Sequence, residues 1–401
     1  MKKILFITST NLAANPRLVK ELRLAVDNGF ACTVLQFSLG NWSDAATKAL
    51  MNEFNKVRFV QLSALRKPFF PWLLSTLLER LFSLIPYSLL TTRMLSIAVS
   101  KRTFLLLRQI PKLQNEPYDW VIAHNPPAFY PALVAARQFG ARLGIDVEDY
   151  HPGETTVISS QHRMRTFMRR ILPKADYCSF AAPLIMAEVQ KDIPEMPERQ
   201  LVILNGFPQN EFEKPQLNSE SVLKIIWFSQ HVAAGRGLEN VIPVVNKLYP
   251  MVELHLAGAL SAEFEKMYLR DQSGVVLHGT LSQRELHQIL GEFDVGLATD
   301  LPINRNREIA LTNKIIAYAQ AGLVIAAMHT EAQDQFLQSS GLYFTQMEDT
   351  RDSIEKILLR LFQEKVANKF DPLKQYETAR RFSWEEVSSP LLEIWNSAGR
   401  F

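Results

Sequence analysis

Lys3-Ile4-Leu5-Phe6-Ile7, Thr8 to Asn15, Pro16-Arg17-Leu18-Val19-Lys20-Glu21-Leu22-Arg23-Leu24-Ala25-Val26-Asp27-Asn28-Gly29 and Ala31-Cys32-Thr33-Val34-Leu35-Gln36-Phe37 are four successive segments with four different patterns. The first is a short apolar run that breaks into a polar loop. Pro16 then opens a segment with Leu18, Leu22, Ala25 and Val26 on one face, closing at Gly29, which is how a helix begins and ends. A second apolar run follows. Strand, helix, strand in this order predicts a βαβ unit, hence a parallel sheet with a right-handed crossover.

Further strand candidates are Val57–Leu62, Trp120–Ala123, Arg142–Val147 and Asp176–Phe180, with helical segments between them, and Leu201–Leu204 follows. After the loop Asn205-Gly206-Phe207-Pro208 and a polar stretch through Glu220, a second series starts at Leu223–Phe228. It continues with strands at Val252–Ala257, Val275–His278, Asp294–Ala298 and Leu323–Ala327, and helices near 237–248, 282–292 and 312–321. Strands alternating with helices predict a doubly wound α/β architecture. At 401 residues the chain exceeds what one core organises, so two Rossmann-like domains facing a cleft are expected. We place them at 1–204 and 205–375, with a boundary near 205–222. Residues 376–401, with Phe382, Trp384, Val387, Leu391, Leu392, Ile394 and Trp395, are expected to form an amphipathic helix that returns to the first domain.

Composition narrows the class. Hydrophobic residues at 47% and charged residues at 21% are those of a globular protein. A net charge of +3 does not imply a nucleic-acid partner. The two cysteines, Cys32 and Cys178, lie far apart in apolar segments, which suggests neither a disulfide framework nor a thiolate metal site. The four apolar residues Ile4–Ile7 are too few for a secretory signal, so a cytoplasmic location is expected. From Ala64 to Lys112 the chain is rich in Leu, Phe, Trp and Ile. It carries eight basic residues, among them Arg66, Lys67, Arg80, Arg93, Lys101, Arg102 and Arg108, against one acid, Glu79. No uncharged stretch there reaches the ~18 residues of a membrane span. Residues 64–112, and the basic run Arg163 to Lys174, are expected either to lie on an anionic membrane surface or to be domain helices with buried apolar faces.

Six segments then form an ordered set: Asn15-Pro16-Arg17-Leu18, Tyr118 to Asn125, Ile145-Asp146-Val147-Glu148-Asp149, Ile203-Leu204-Asn205-Gly206-Phe207, Gly235-Arg236-Gly237-Leu238, and Leu311-Thr312-Asn313-Lys314 through Gly322-Leu323. Together they resemble the GT-B retaining glycosyltransferases of family 4, the group 1 glycosyltransferases, a family that includes phosphatidylinositol mannosyltransferase and sucrose synthase. The resemblance covers nearly the whole chain. It implies sugar transfer from a nucleoside-diphosphate sugar to a cell-surface glycan or lipid-linked acceptor, without a metal or other cofactor, on the inner face of the cell membrane.

The chemistry requires stabilisation of charge on the departing diphosphate, for which cations and helix N-termini are suited. By resemblance Arg236, Gly237, Glu308, Leu311, Thr312, Asn313 and Lys314 are the donor-binding candidates. The family's second basic residue, six positions before Arg236, is here Gln230. His124, at the carboxyl end of its strand, is expected to position donor sugar and acceptor, with the diphosphate itself taking the acceptor proton. Asn15, Arg17, Asn125 and Asp149, with Asn11, are expected on the acceptor side. Arg17 would either contact an acceptor phosphate or pack the first helix. Asp146, Glu148, Asp149, His151 and Glu154 are acidic or metal-capable neighbours, but an acceptor-side loop or solvated charge is the expectation there. The family's glutamate five residues before the last glycine is replaced by Ala317, and its second by Ile309, beside Glu308. Two other readings share the fold: a nucleotide-sugar 2-epimerase, and a catalytically silent binding protein.

Overall fold

The computed structural model describes residues 1–113, 117–216, 220–270 and 273–397. Part of the expected boundary stretch (217–219) and the end of the expected C-terminal region (398–401) lie outside them. The chain forms two compact units, one comprising Met1–Ile203 together with the chain from Pro390, the other Leu204–Ser389.

The first unit holds seven strands: β1 (Lys3–Thr8), β2 (Ala31–Ser38), β3 (Arg58–Ser63), β4 (Trp120–His124), β5 (Arg142–Val147), β6 (Tyr177–Phe180) and β7 (Arg199–Val202). All pairings are parallel, in the order β3-β2-β1-β4-β5-β6-β7. Strand order reverses between β1 and β4, which in a doubly wound sheet opens a crevice at their carboxyl ends. Every residue of β4 is buried, as expected for a central parallel strand covered on both faces. The helix Pro16–Asp27 crosses from β1 to β2. Its first turn is capped by the Asn15 side chain, which accepts from the Leu18 amide, and Pro16 occupies the first helical position.

The second unit holds β8 (Leu223–Val232), β9 (Val252–Leu260), β10 (Val275–Gly279), β11 (Val295–Ala298), β12 (Val324–Met328) and β13 (Phe344–Met347). They pair in parallel in the order β10-β9-β8-β11-β12-β13, with the reversal between β8 and β11. Its core is built from Leu223, Ile225, Trp227, Val241, Val245, Leu254, Leu256, Leu297, Ala326 and Met328 with their neighbours. The expected α/β plan and the strands named from the sequence are all present.

Three local readings are corrected. Strand β13 escaped notice because Phe344-Thr345-Gln346-Met347 is short and half polar. Strand β8 continues past Phe228 to Val232 through a register shift between Phe228 and His231. The helix expected from 237 begins at Val241, because Gly235 and Gly237 both have positive φ (73° and 74°) and a right-handed helix cannot run through them.

The last helix, Trp384–Ser397, ends against the first unit's sheet. Trp395 is buried there; its indole donates to the Tyr177 hydroxyl (3.1 Å) and its carbonyl accepts from the Trp120 indole (3.3 Å). In the first unit the helix Phe69–Leu84 packs on Thr92–Val99 and Lys101–Gln109. Among the described residues no helix is long and apolar enough to cross a membrane.

Candidate functional site

Parallel pairing sets the first group of residues. Thr8 lies beside His124, His124 beside Asp146, and Asp146 beside Ser179, so the carboxyl ends of β1, β4, β5 and β6 form one row. Above it the helix Pro16–Asp27 turns Arg17 and Glu21, one turn apart, onto its buried face. Arg17 Nε donates to Asp146 Oδ2 (2.7 Å) and its Nη1 to the Ile203 carbonyl (2.7 Å). The Ser179 hydroxyl donates to Asp146 Oδ1 (2.6 Å). His124 lies between two carboxylates, with Nε2 3.3 Å from Glu21 and Nδ1 3.4 Å from Asp146. All four charged side chains are at most 2% exposed.

Burying isolated charges is prohibitive, so such a cluster must balance. Burial alone favours neutral imidazole, but Glu21 and Asp146 outweigh it and push the His124 pKa up to about 10. Burial would likewise raise Asp146, yet Arg17 and then His124 hold its carboxyl well below the usual range. Arg17 remains cationic beside Asp146. With the ring protonated, Arg17 and His124 cancel Glu21 and Asp146. Glu21, His124 and Asp146 also present ligand atoms all within 4.8 Å of one another, a spacing that suits a cation. Taking one up would require the imidazolium to give up its proton, and a divalent ion would leave a net positive charge in this buried site.

The sequence-expected residues are placed unevenly. Asn125, with φ 68°, turns β4 directly into the helix Pro126–Phe139. Its Oδ1 accepts from Thr8 Oγ1 (2.8 Å) and Asn15 Nδ2 (3.5 Å), so Asn15 and Asn125 meet at the strand ends. Arg17 is fully enclosed and committed to Asp146. Asn11 is also buried, donating to Ser43 Oγ (2.7 Å) and Asp44 (3.1 Å). Asp149 and Glu148 are half-buried just past β5, and burial raises the Glu148 carboxyl to about 7 against the pull of Arg17. His151 contacts Glu154 (3.0 Å) and the Phe129 ring.

The second group stands at the carboxyl ends of β8 and β11. Trp227 Nε1 donates to Thr299 Oγ1 (2.9 Å), and that hydroxyl donates to the Arg236 carbonyl (2.5 Å). The turn is thereby fastened to the residue after β11. A Cβ on Gly237 would come within 2.5 Å of the Thr299 carbonyl oxygen, so only glycine allows this approach. Lys314, in the first turn of the helix Asn313–Gln320, lies 5.7 Å from the same Trp227 ring and 3.2 Å from the Asp300 carboxylate. The Arg236 backbone and the Lys314 side chain therefore share one corner. Thr312 is the N-cap of that helix, but its side chain makes no capping bond, which leaves first-turn amides for an anion. Asn313 is exposed and Leu311 buried.

Glu308 is engaged elsewhere: its carboxylate accepts from the Glu331 amide (3.0 Å), capping the helix Glu331–Ser339. Ala317 is completely buried, so a glutamate there would sit among buried neighbours. Sequence reasoning missed Glu21, Trp227, Thr299 and Asp300. Glu21 carried a signal, since it falls on the face of Leu18, Leu22 and Ala25, where a lone acid needs a partner.

No protein-family model and no curated protein matches the chain. Solved structures do. Anabaena HepE in complex with UDP-glucose superposes with a TM-score of 0.68 at 13% identity, covering 99% of this chain and 100% of that one. An S. aureus TarM variant in complex with UDP, α-GlcNAc-glycerol and fondaparinux gives 0.67 at 11%, covering 99% and 100%. A Listeria monocytogenes protein described as a UDP-N-acetylglucosamine 2-epimerase gives 0.60 at 13%, covering 100% and 98%. At such identities the likeness is one of fold, and the fold is GT-B.

Proposed function

We propose that this protein is a retaining glycosyltransferase that moves a hexosyl group from a nucleoside-diphosphate sugar to a glycan or lipid-linked acceptor, on the inner face of the cell membrane and in polysaccharide biosynthesis. The observation that carries the reading is the corner of the second unit where the Gly235-Arg236-Gly237 turn, the start of the helix Asn313–Gln320 and Lys314 surround Trp227 and Thr299. Two cations and a set of free amides at a strand-order reversal suit a diphosphate. Similar folds bind UDP-glucose in HepE and UDP in TarM, which supports the same donor class here. Arg236, Gly237, Thr312, Asn313 and Lys314 take the donor. Asn15, Asn125 and Asp149 face the acceptor side, and His124 acts as a positioning residue beneath them. Because the leaving diphosphate meets fixed cations, the reaction as proposed uses no metal.

The test is calorimetric titration with UDP, GDP and ADP, followed by turnover of the matching radiolabelled sugar nucleotide with membrane extract. Micromolar binding of one diphosphate and transfer of label to an extractable glycan are expected. Binding without transfer but with inversion at the sugar C2 would replace the reading by the epimerase, and no binding of any diphosphate would end it.

A further inference from the structure

The helix Phe69–Leu84 carries a continuous apolar stripe that nothing in the described structure covers. Phe70 (81% exposed), Leu74, Leu77, Leu81 and Leu84 (82%) are spaced four, three, four and three residues apart. At ~100° per residue they fall within roughly 80° of arc. The other side of the helix is spoken for. Ser75 is completely buried, and Glu79 accepts from the Lys101 amide at the start of the next helix but one. Exposed Leu65, Phe69 and Leu89 extend the apolar surface beyond both ends of the stripe.

Its surroundings are basic. Arg66 and Lys67 precede the helix and Arg80 borders the stripe, all exposed. Between residues 64 and 112 the single acid is Glu79, already used as a cap. The basic helix Ile158–Ile171 joins the far end, where Arg163 donates to the Ser83 carbonyl (3.2 Å).

We propose that this stripe is a membrane-surface anchor that seats the protein on a bilayer containing anionic phospholipid. The helix has 16 residues, ~24 Å of length, against ~30 Å of hydrocarbon in a bilayer. Lying flat, it buries its leucines at the headgroup boundary while the basic residues meet the phosphates. The four-three spacing also fits a two-helix seam with a second copy. Such a seam would be about two heptads long and would set arginines and lysines against each other with no acid to pair them, so charge complementarity selects the membrane. This inference deepens the proposed function by naming the surface and lipid class that bring the enzyme to its acceptor.

The experiment is co-sedimentation of the full chain with phosphatidylcholine vesicles, with and without phosphatidylglycerol. Binding to the anionic vesicles at least tenfold above the neutral ones is expected. The pair Leu77→Ser and Leu81→Ser, both at exposed positions, should lower it at least tenfold. Reversal of Arg66, Lys67 and Arg80 to glutamate should bring binding to the anionic vesicles down to the neutral level. Both native cysteines are buried, so Phe70→Cys carries one selective label, which lipid-borne nitroxides should quench. Equal binding to both vesicle types, stripe variants that still sediment, or a label shielded by dimerisation and untouched by nitroxide would each overturn the proposal. UDP titration of the same variants without vesicles separates the outcomes: lost vesicle binding with native nucleotide affinity concerns the anchor alone, whereas absent nucleotide binding in every form concerns the proposed activity.

Discussion

Replacing Glu21 by glutamine removes one charge from the buried quartet and leaves Arg17 and His124 facing only Asp146. The imidazolium then lacks half of its support, and burial drives its proton off. With a pKa of about 10 in the folded chain and about 6.5 unfolded, the protonated ring contributes roughly 4 kcal/mol at pH 7 by linkage. This lies in the range of ~3–5 kcal/mol for removing one member of a buried ion pair. A folded-state pKa above the unfolded value gives stability that is complete below pH ~6.5 and disappears as pH rises through ~10. The difference between native protein and Glu21→Gln is therefore expected to be about 4 kcal/mol near neutral pH and under ~1 kcal/mol near pH 10. At ~2–4 °C per kcal/mol for a unit of this size, the melting point drops by roughly 8–16 °C at pH 7. Thermal unfolding at pH 6, 8 and 10 reads the difference, and imidazole NMR follows the ring directly. A pH-independent difference, or a native His124 titrating near its ordinary value, would refute the charge-balanced quartet.

Arg236→Ala should weaken binding of the preferred nucleoside diphosphate by about 1.5–3 kcal/mol, the worth of hydrogen bonds to a charged group, read by calorimetry. Gly237→Ala, forced both into positive φ and to within 2.5 Å of a backbone oxygen, should lower stability by about 2–3 kcal/mol. Gly235→Ala has the same φ sign but open space around the added carbon, so it should lose only about 1–2 kcal/mol in the same denaturation assay. Glu148 is held protonated up to about 7 by burial, above its unfolded value, so it makes stability fall as pH rises from about 4.5 to 7. Glu148→Gln should flatten that part of the profile and raise stability above pH 7 by about 1–3 kcal/mol in chemical denaturation.

The fold was legible because parallel strands buried on both faces leave continuous apolar runs, and the turns between them leave Gly, Pro and Asn. Arg236 and Lys314 were legible as residues, through their place next to turn signals and through the family resemblance. The link from the Arg236 carbonyl through Thr299 to Trp227, and from Trp227 to Lys314, was not, because it depends on β8 lying beside β11 across a gap of more than sixty residues in the chain. For Arg17 the sequence leaves open both an acceptor-phosphate contact and packing of the first helix. In sequence it stands in the first turn of an amphipathic helix with no partner in view, and only the pairing of β4 with β5 reveals the carboxylate that holds it. Ala317 reads as the replacement of a family glutamate, and its complete burial adds a constraint that periodicity on so short a helix does not supply.

The two strand-order reversals also differ in exposure. At the first, Arg17 and protonated His124 are matched by Glu21 and Asp146, and a protonated ring cannot take a proton from an acceptor hydroxyl. In the proposed reaction His124 would therefore act by holding the strand ends on which Asn125 sits, and the base would be another group. At the second, Lys314 is paired with Asp300, the Glu239 carboxylate accepts from the Gly235 amide (2.5 Å), and Arg236 and Lys314 are both part-exposed. A closed, neutral cluster has nothing to offer an ionic ligand except rigidity, whereas part-exposed cations beside the first-turn amides of a helix gain when an anion arrives. In the reaction as proposed, the departing diphosphate would be such an anion, and the cations beside it would favour leaving-group departure.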